Sequence, residues 1–582
     1  MADEHAKVEA DRRLLNEAQA RGAGATLGAY VRLSGPGWLQ AAITLGGGSL
    51  AGALFLGILS GPSLLWLQLM AIVMGVVMLS AISYVTLSTG LRPFAAINEH
   101  INPVLGWGWL VATSMANMIW CMPQFSLCYE ALDQNLAPGM VGTSLGAKLG
   151  VSAVILAAAS FVLAMNARRG KAAKAFDLFL KALIGTIVIC FFGVVIYLST
   201  QGVLDWGSIW SGFIPDIRQW TRPSGDTGSL LETISTEASS FWDNRIIREQ
   251  RAVMIGAAAT AVGINMTFLM PYSMLQRGWD KTFRGLARFD LSTGMAIPYV
   301  LVTSCVVIAA SQAFHNKADD AFLSDDPAVF QTSDLFGPAS PMLLERVRPE
   351  LTGQKFSDLS TAEQQTALAE MAALPESEKR IASSLVRRDA FKLSKALAPL
   401  LGRDTANLVF GLGVFGMGFS TIIILMLING FVFCEALGKP WRGGLFAAGC
   451  AVAGVVGAIW PLVWDGPAKL WLAILASSFG MMLLPIAYVT FFMMMNSRTM
   501  LGDDKPRGLK AVTWNVLMGL SVLGAIIAAA TAIYDKATDR SNATAELAGQ
   551  VVIGMVVVYL ALVVLGFWFK AKPATKDEAR RL

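Results

Sequence analysis

Long apolar stretches separated by short polar segments dominate this chain. No charged residue occurs between Arg32 and Arg92, between Arg251 and Arg277, or between Lys510 and Asp535. Because roughly 20 apolar residues span the hydrocarbon core of a bilayer, these intervals predict two, one and one membrane crossings. The pattern therefore predicts an all-α polytopic membrane protein.

The same pattern, followed over the whole chain, predicts about twelve transmembrane helices. They are expected at residues 33–60, 64–88, 105–129, 149–166, 178–198, 252–276, 291–313, 406–434, 443–464, 470–496, 511–534 and 547–569. These helices divide the chain into five parts. They are a cytosolic tail at 1–32, transmembrane helices 1–7 at 33–314, an extracytoplasmic insertion at 315–404, transmembrane helices 8–12 at 405–570 and a cytosolic tail at 571–582.

Positive charges are concentrated in alternate loops. One set of loops carries Arg168, Arg169, Lys171, Lys174, Arg277, Lys281, Arg284, Arg288, Arg498, Lys505, Arg507 and Lys510. The opposite short loops carry little beyond Lys148, Lys469, Lys536 and Arg540. Since cytoplasmic loops are enriched in lysine and arginine, both termini are expected in the cytoplasm, with the connections at 200–251 and 315–404 outside.

Composition supports this class and excludes others. The chain has 582 residues, of which 54% are hydrophobic and 15% charged, whereas a soluble protein carries about a quarter charged residues. The loop lysines and arginines account for the net charge of +5, so no nucleic-acid partner is expected. The six cysteines form no C-x-x-C pair and are interpreted as packing residues. No arrangement typical of a nucleophile is found, so neither an enzyme nor a cofactor is expected.

The insertion at 315–404 includes the stretch "LSTAEQQTALAEM". Ser360 or Thr361 is expected to cap a helix there, because the residues that follow favour helix. Loops tolerate insertions, so a solvated insertion is favoured over an extracytoplasmic cap or a partner-binding surface.

Two of the apolar spans contain helix-breaking residues. In "PGWLQAAITLGGGSLAGAL", the glycines at 46–48 each cost a helix up to about 1 kcal/mol relative to alanine. In "GINMTFLMPYSML", Pro271 removes a backbone donor and clashes with the preceding turn. Interrupted spans at corresponding positions of two halves are typical of transporters built on inverted repeats, and spans one and six are five apart.

Several motifs resemble those of the Nramp divalent-metal transporters. "RLSGPGWLQAAITLGGGSLAG" is similar to their first helix, in which a G-P-G-F/W-L opening leads into a D-P-G-N motif, and "FLMPYSML" is similar to their sixth helix with its M-P-H motif. Their seventh, eighth and tenth helices resemble "LARFDLSTGMAIPYVLVTSCVVIAASQAF", "GLGVFGMGFSTIIILMLINGFVFCEAL" and "LLPIAYVTFFMMMNSRTMLG". The resemblance implies a LeuT-like inverted repeat of five helices plus five, with helices 1 and 6 broken, that transports a metal ion by alternating access.

The resemblance also implies a metal site, and the two motifs differ from the family there. D-P-G-N is replaced by G-G-G-S at 46–49, and M-P-H by M-P-Y at 270–272, which leaves Ser49, Met270 and Tyr272 as candidate metal ligands. Divalent ions favour carboxylate, carbonyl and imidazole groups over a thioether alone. The third span has no acidic residue before Glu130 that would pass protons. Conventional proton-coupled transition-metal transport is therefore not expected.

The expected substrate site lies between the two breaks. Its candidate residues are Thr44, Leu45, Gly46, Gly47, Gly48, Ser49, Asn265, Met270, Pro271, Tyr272 and Ser273. Asn117, Asn429 and Asn515 lie in other spans and are interpreted mainly as packing residues, whereas Asn265 fits a packing role and a cavity role equally well.

Three functional interpretations remain open. The first is transport of a metal ion that is bound weakly or stays more fully hydrated, held by Ser49, Tyr272 and backbone carbonyls. The second is a carrier of a small organic solute such as an amino acid, whose carboxylate would bind the glycine-rich start of a half-helix. The third is a non-transporting membrane protein whose external insertion binds a partner. In all three the chain is a multi-pass protein of the cell membrane and contacts the lipid bilayer.

Overall fold

The computed structural model describes residues 2–167, 171–225, 227–386, 402–464, 471–538 and 543–568, and over these residues it is helical with no strand. The first helices are α1 Ala2–Arg21, α2 Ala23–Leu33, α3 Pro36–Thr44, α4 Gly47–Ser60, α5 Leu65–Thr89, α6 Pro93–His100, α7 Pro103–Ala131, α8 Leu145–Ala167, α9 Lys171–Thr200, α10 Trp206–Ser211, α11 Thr227–Leu231, α12 Thr236–Ala261 and α13 Ile264–Gln276.

The remaining helices complete the membrane part and form most of the insertion. They are α14 Arg284–Asp290, α15 Ile297–Phe314, α16 Asp320–Leu323, α17 Pro327–Phe330, α18 Phe336–Val347, α19 Thr361–Ala372, α20 Glu376–Leu385, α21 Arg403–Ala436, α22 Gly444–Ala458, α23 Trp460–Val463, α24 Trp471–Asn496, α25 Arg498–Leu501, α26 Leu509–Ala537 and α27 Ala543–Trp568. A π-helical segment, Leu291–Ala296, joins α14 to α15.

The membrane-spanning pattern expected from the sequence is confirmed. Within the described ranges, nine helical stretches are long and apolar enough to cross a membrane, and the longest of them, Gly47–Thr89, contains both α4 and α5. The bounds differ most at the sixth span, which begins at Thr236 rather than at residue 252. Its first turns carry polar and charged side chains and extend beyond the apolar part of the helix.

The two broken spans lie at the centre of the bundle. Every residue of α4 is buried, and α13 is buried from Ile264 to Met274. Helices α7, α15, α21 and α24 pack around this centre. In contrast, α26 and α27 expose leucine and valine side chains along much of their length, which suits contact with lipid tails.

The bundle has two distinct faces. On one face, which we call the terminal face, α1 packs near the start of the loop after α13, where Arg12 pairs with Asp280 at 2.8 Å. On the other, the insertion face, α4 ends at Ser60 close to Gly225 and His315. The two long connections therefore lie together, opposite the N-terminal helix.

The described part of the insertion is a folded cap with its own hydrophobic core. The cap comprises residues 315–386 together with residues 227–247, which include the start of α12. Trp242, Phe322 and Phe330 are fully buried in this core. Aromatic residues from two distant loops therefore bury one another in one folded unit, while the solvated placement expected for the insertion at 315–404 stays a prediction. Residues 387–401 lie outside the described residues.

The helix expected after Ser360 is confirmed as α19. The Ser360 side chain accepts a hydrogen bond from the Glu363 N–H, and the Glu363 carboxylate accepts one from the Ser360 N–H. This reciprocal capping box satisfies two backbone donors that a helix start leaves free. The local sequence thus determines where this helix begins.

A polar junction joins the cap to the outer end of α4. His315 Nδ1 lies 2.9 Å from the Ile58 carbonyl oxygen, and the Asn316 side chain lies 3.2 Å from His315 Nε2. Asn316 has a φ of 52°, in the left-handed region, and its N–H and carbonyl groups bond to Ser384 and Arg380 of α20. Helix α20 therefore fixes the chain where it leaves α15, next to the C-terminal end of α4.

The buried carboxylate of Glu378 makes the cap sensitive to one substitution. Glu378 accepts hydrogen bonds from Trp242 Nε1 and Arg346 Nε, both at 2.8 Å. Replacing Glu378 by glutamine leaves the largely buried Arg346 without its counter-charge, which we expect to destabilise the cap by about 3 kcal/mol. Limited proteolysis within residues 315–386 of the purified protein is then expected to accelerate at least about tenfold, since 1.4 kcal/mol corresponds to a factor of ten.

Glu370→Gln is the matched control for this prediction. Glu370 accepts two hydrogen bonds from Arg348, which lower the pKa of Glu370, but its side chain is 39% exposed. An exposed pair contributes about 0–1 kcal/mol, so proteolysis of this variant should differ little from that of the wild type. Equal cleavage rates for the two variants would contradict the role given to Glu378.

Candidate functional site

The first span is interrupted where the glycines predict. Helix α3 ends at Thr44 and α4 begins at Gly47, so that Leu45 and Gly46 form the break. Gly46 has φ −96° and ψ −177°, an extended conformation that any residue adopts. A Cβ atom at this position would instead collide with the Thr421 hydroxyl of α21. Glycine is therefore required for space.

Helix α21 also holds the end of α3 in place. The Ser420 hydroxyl donates to the Ala42 carbonyl oxygen at 3.0 Å. The Thr421 hydroxyl lies 3.2 Å from the same oxygen and 2.8 Å from the Met417 carbonyl oxygen of its own helix. The Ser49 hydroxyl donates to the Thr44 carbonyl oxygen across the break. Carbonyl oxygens that a continuous helix would use internally are thus presented in the interior of the bundle.

The second span is interrupted earlier than Pro271 predicts. Helix α12 ends at Ala261 and α13 begins at Ile264, with Val262 extended at φ −144° and ψ 103°. The expectation of a break at Pro271 is therefore wrong: Pro271 lies inside α13, which continues to Gln276. Prolines are tolerated within membrane helices when neighbouring groups satisfy the freed backbone, whereas an extended residue followed by Gly263 ends the helix.

The two breaks meet through polar side chains. The Gln40 Nε2 atom donates to the Met266 carbonyl oxygen at 3.3 Å, and the Thr44 hydroxyl lies 3.5 Å from the Met266 sulfur. Asn265 Oδ1 accepts a hydrogen bond from the Met266 N–H at 2.9 Å. Thr44, expected in the site, therefore contacts the residue that follows Asn265 at the start of α13.

Sequence reasoning missed Gln40 and Met266. Gln40 precedes Thr44 by four residues and so lies on the same face of α3, and Met266 directly follows Asn265. Helical periodicity applied to Thr44 would have found Gln40. Met266 was missed because the break was expected at Pro271.

The residues expected around Pro271 occupy a different place. Tyr272 lies more than two helical turns beyond the break, where its hydroxyl donates to Glu435 Oε2 at 3.0 Å and accepts from the Phe94 N–H at 3.2 Å. Arg92 and Trp441 bond to the same carboxylate at 3.2 and 2.5 Å. Met270 and Ser273 follow the break on α13, and Ser273 bonds back to the Met270 carbonyl. The structure thus does not bring Tyr272 or Ser273 to the first break.

Two buried polar atoms at the breaks have no hydrogen-bond partner. These are Gln40 Oε1 and Asn265 Nδ2, whose orientation is set by the bonds that the opposite amide atoms make to Met266. In the last turn of α12, the Ala257 carbonyl oxygen accepts a hydrogen bond from the Thr260 hydroxyl at 2.7 Å. Buried polar atoms are nearly always paired, so the two unpaired atoms indicate a place for water or a ligand.

The breaks present neutral groups to this place. No charged residue occurs at 33–60 or at 252–276, the parts of the two spans that contain the breaks. Two helices, α3 and α12, end there with the partial negative charge of their carbonyls, and two begin there with the partial positive charge of their N–H groups. No group of three His, Cys, Asp or Glu residues suited to a metal ion occurs among the described residues. Any ion held there would be bound by neutral oxygen atoms and one thioether.

The other span asparagines differ among themselves. Asn429 donates to the Gly449 carbonyl at 2.8 Å and accepts from Ser114 at 2.9 Å, and Asn515 accepts from Asn496 at 2.7 Å. These two residues therefore join helices, as their packing interpretation predicts. Asn117 makes no such bond with either side-chain atom.

Solved structures with this fold are transporters. A variant of the manganese transporter of Eremococcus coleocola matches with a TM-score of 0.61 at 15% sequence identity, over 95% of this chain and 96% of that chain. The same manganese transporter in complex with an aromatic bis-isothiourea substituted compound matches with a TM-score of 0.59 at 16% identity, over 96% and 95% of the two chains. At this identity, the likeness shows the fold.

The family is shown by a sequence model. No curated protein matches the chain. The family model described as natural resistance-associated macrophage protein-like (Nramp) matches residues 37–344 and 372–531, which include both broken spans and most of the other membrane helices. The chain therefore belongs to the Nramp family of membrane metal-ion transporters.

Proposed function

We propose that this protein carries a divalent metal ion across the cell membrane by alternating access and binds the ion at the two breaks. The ligands in this proposal are Thr44, Ser49 and Asn265, together with Gln40, Met266 and the backbone carbonyls of the broken segments. Leu45 and the glycines at 46–48 supply backbone and space. The terminal face is cytoplasmic in this proposal, in accordance with the distribution of lysine and arginine.

One observation carries the proposal: two interrupted helices, five spans apart, meet in the buried centre and leave polar atoms unpaired. Gln40 Oε1 and Asn265 Nδ2 are the side-chain atoms concerned. Unwound backbone at mid-membrane is tolerated where it lines a site or a cavity. The manganese transporters that share this fold make a divalent ion the first substrate to test.

The neutral ligand set determines how the ion would be held. A fully dehydrated divalent ion in the membrane interior needs compensating negative charge, and the break segments contain none. Unpaired acceptor and donor atoms together suit water molecules that remain on the ion. We therefore propose that the substrate keeps part of its water shell, as Mg²⁺ commonly does in proteins.

The absence of charged side chains at the breaks also affects whether ion transport is coupled to proton movement. In the break segments no acidic or histidine side chain is present to take up a proton with the ion. Intramembrane ionisable residues are the usual components of proton relays. We therefore propose that the ion moves down its own electrochemical gradient, without obligatory proton movement.

Proteoliposomes test this function directly. Purified protein is reconstituted with a metal-sensitive dye inside the vesicles, and influx of Mg²⁺ and of Mn²⁺ is recorded with and without a pH gradient. We expect saturable influx of at least one ion, unchanged by the pH gradient. Protein-free vesicles and a Gln40→Leu, Asn265→Leu double variant serve as controls.

Two results would redirect the proposal. If neither ion enters while an amino acid raises the thermal unfolding temperature of the purified protein, the substrate is an organic solute, since a ligand of the folded state stabilises it. If no solute enters under any condition, the protein is not a transporter and the cap becomes the surface to study.

A further inference from the structure

We infer that Thr113 and Asn117 of α7 form a second binding position for the hydrated cation, beside the breaks. This inference rests on the proposed function and extends it to a helix that contributes no residue to the site described above. It assigns a role to Asn117, which the sequence analysis interprets mainly as a packing residue, and to Thr113.

Both side chains are buried and unpaired. Thr113 and Asn117 are each 0% exposed. Thr113 Oγ1 and both side-chain atoms of Asn117 have no hydrogen-bond partner. Leaving a donor and an acceptor of one amide unpaired in a dry interior is strongly unfavourable, so the position is expected to contain water or a ligand.

The neighbours of these residues on α7 show which way they face. On one side of them in the sequence, Trp109 Nε1 donates to the Thr267 hydroxyl of α13 at 2.9 Å. On the other side, Gln124 Oε1 accepts from the Gly47 N–H of α4 at 2.9 Å. Residues 109, 113, 117 and 124 are separated by four, four and seven positions and therefore share one face of the helix. That face is directed at the two broken spans.

A third contact of α7, made by Ser114, shows more closely which way Asn117 faces. Ser114, three residues before Asn117, donates to Asn429 of α21 at 2.9 Å. Asn117 therefore lies between the side of α7 that contacts the broken spans and the side that contacts α21. This direction points into the bundle and away from lipid.

The chemistry favours a hydrated ion over a bare one. Asn117 presents an N–H₂ donor as well as an oxygen acceptor, and the donor would repel a dehydrated cation. A water molecule bound to a cation satisfies the acceptor through its hydrogens, and a second water accepts from the N–H₂ group. Thr113, one turn away, provides a further oxygen for the same water shell.

The position also has a boundary towards the terminal face. The Trp109 ring packs against Phe268 and Phe491 at centroid distances of 4.7 and 5.6 Å, and Phe268 stacks on Tyr272 at 4.4 Å. These aromatic rings close the face of α7 beyond Thr113. The second position therefore lies between the breaks and this aromatic layer, on the route to the terminal face.

Asn117→Leu distinguishes a binding role from a packing role. Leucine has the same number and branching of heavy atoms as asparagine and removes polar atoms that have no partner, so a packing residue would tolerate it or gain stability. We expect the unfolding temperature to stay equal or rise, while metal influx in proteoliposomes falls at least about tenfold, the effect of losing one such polar contact. Asn117→Asp adds a charge and is expected to lower the Mn²⁺ concentration for half-maximal influx.

Asn429→Leu is the matched control, because it removes bonds to Ser114 and Gly449 and should lower the unfolding temperature. The inference is overturned if Asn117→Leu transports at the wild-type rate, or if its influx falls only together with its unfolding temperature. If the wild type itself carries no metal ion, the proposed function fails, and the second position fails with it.

Discussion

Replacing Asp290 by alanine is expected to abolish most transport and to lower the unfolding temperature. The Asp290 carboxylate is fully buried at the end of α14 and accepts hydrogen bonds from the N–H groups of Gly35 at 3.1 Å and Gly37 at 2.5 Å. It also accepts one from the Ser34 hydroxyl. These are the donors that the start of α3 leaves free, so Asp290 acts as its cap from another helix.

The expected effect is large because two buried N–H groups lose their partner. Each unsatisfied group costs about 1–3 kcal/mol, about 2–6 kcal/mol for the pair. A Cβ atom at Gly37 would collide with the Asp290 carbonyl oxygen, so the start of α3 and the end of α14 lie in direct backbone contact. Releasing this end of α3 displaces Gln40 and Thr44, and we expect influx to fall at least about 30-fold, the factor for 2 kcal/mol.

Influx in proteoliposomes and thermal unfolding in detergent check this prediction. Asp280→Ala is the matched control: Asp280 lies on the same face, caps Thr282 and pairs with Arg12, but its side chain is 41% exposed. It should transport almost normally. Asp290→Asn keeps one acceptor oxygen, so its influx should lie between those of Asp290→Ala and Asp280→Ala. Wild-type influx by Asp290→Ala would show that α3 is held by its other contacts alone.

The sequence predicts the membrane architecture well because the signal is local. An uncharged interval such as 33–91 is long enough for two crossings, and no tertiary contact is needed to recognise it. The first break is predicted for a related reason, since a run of glycines lowers helix stability wherever it occurs. The helix after Ser360 is likewise determined by its own capping residues.

The remainder of the site depends on contacts between distant parts of the chain. Asp290 and Gly35 are 255 residues apart, and no periodicity relates them. The second break was expected at the proline, yet the helix ends at Val262 and Gly263, whose own composition is unremarkable for a membrane span. The motif places Tyr272 in the site, whereas hydrogen bonds to Glu435 and from the Phe94 N–H hold its hydroxyl elsewhere.

Introducing a carboxylate as Gly46→Asp is expected to fail alone and to succeed with Thr421→Ala. The side chain at position 46 would meet the Thr421 hydroxyl, and overpacking of this kind costs about 1–3 kcal/mol. We therefore expect influx of Mg²⁺ and Mn²⁺ by the single variant to fall about tenfold, the factor for 1.4 kcal/mol. Thr421→Ala removes the closest colliding atom and leaves the Ile43 carbonyl oxygen, 2.9 Å from the added Cβ, which must shift slightly. Ser420 still donates to the Ala42 carbonyl.

In the double variant the carboxylate adds a negative charge and hard oxygen ligands to a neutral site. We expect the Mn²⁺ concentration for half-maximal influx to fall at least about tenfold relative to Thr421→Ala alone, because carboxylates bind divalent ions far more strongly than neutral oxygens do. Full influx by Gly46→Asp alone would refute the packing explanation for this glycine. An unchanged half-maximal concentration in the double variant would place the ion away from position 46. The two measurements therefore distinguish two reasons for glycine at position 46. One is lack of space beside α21, and the other is weak binding of a hydrated ion.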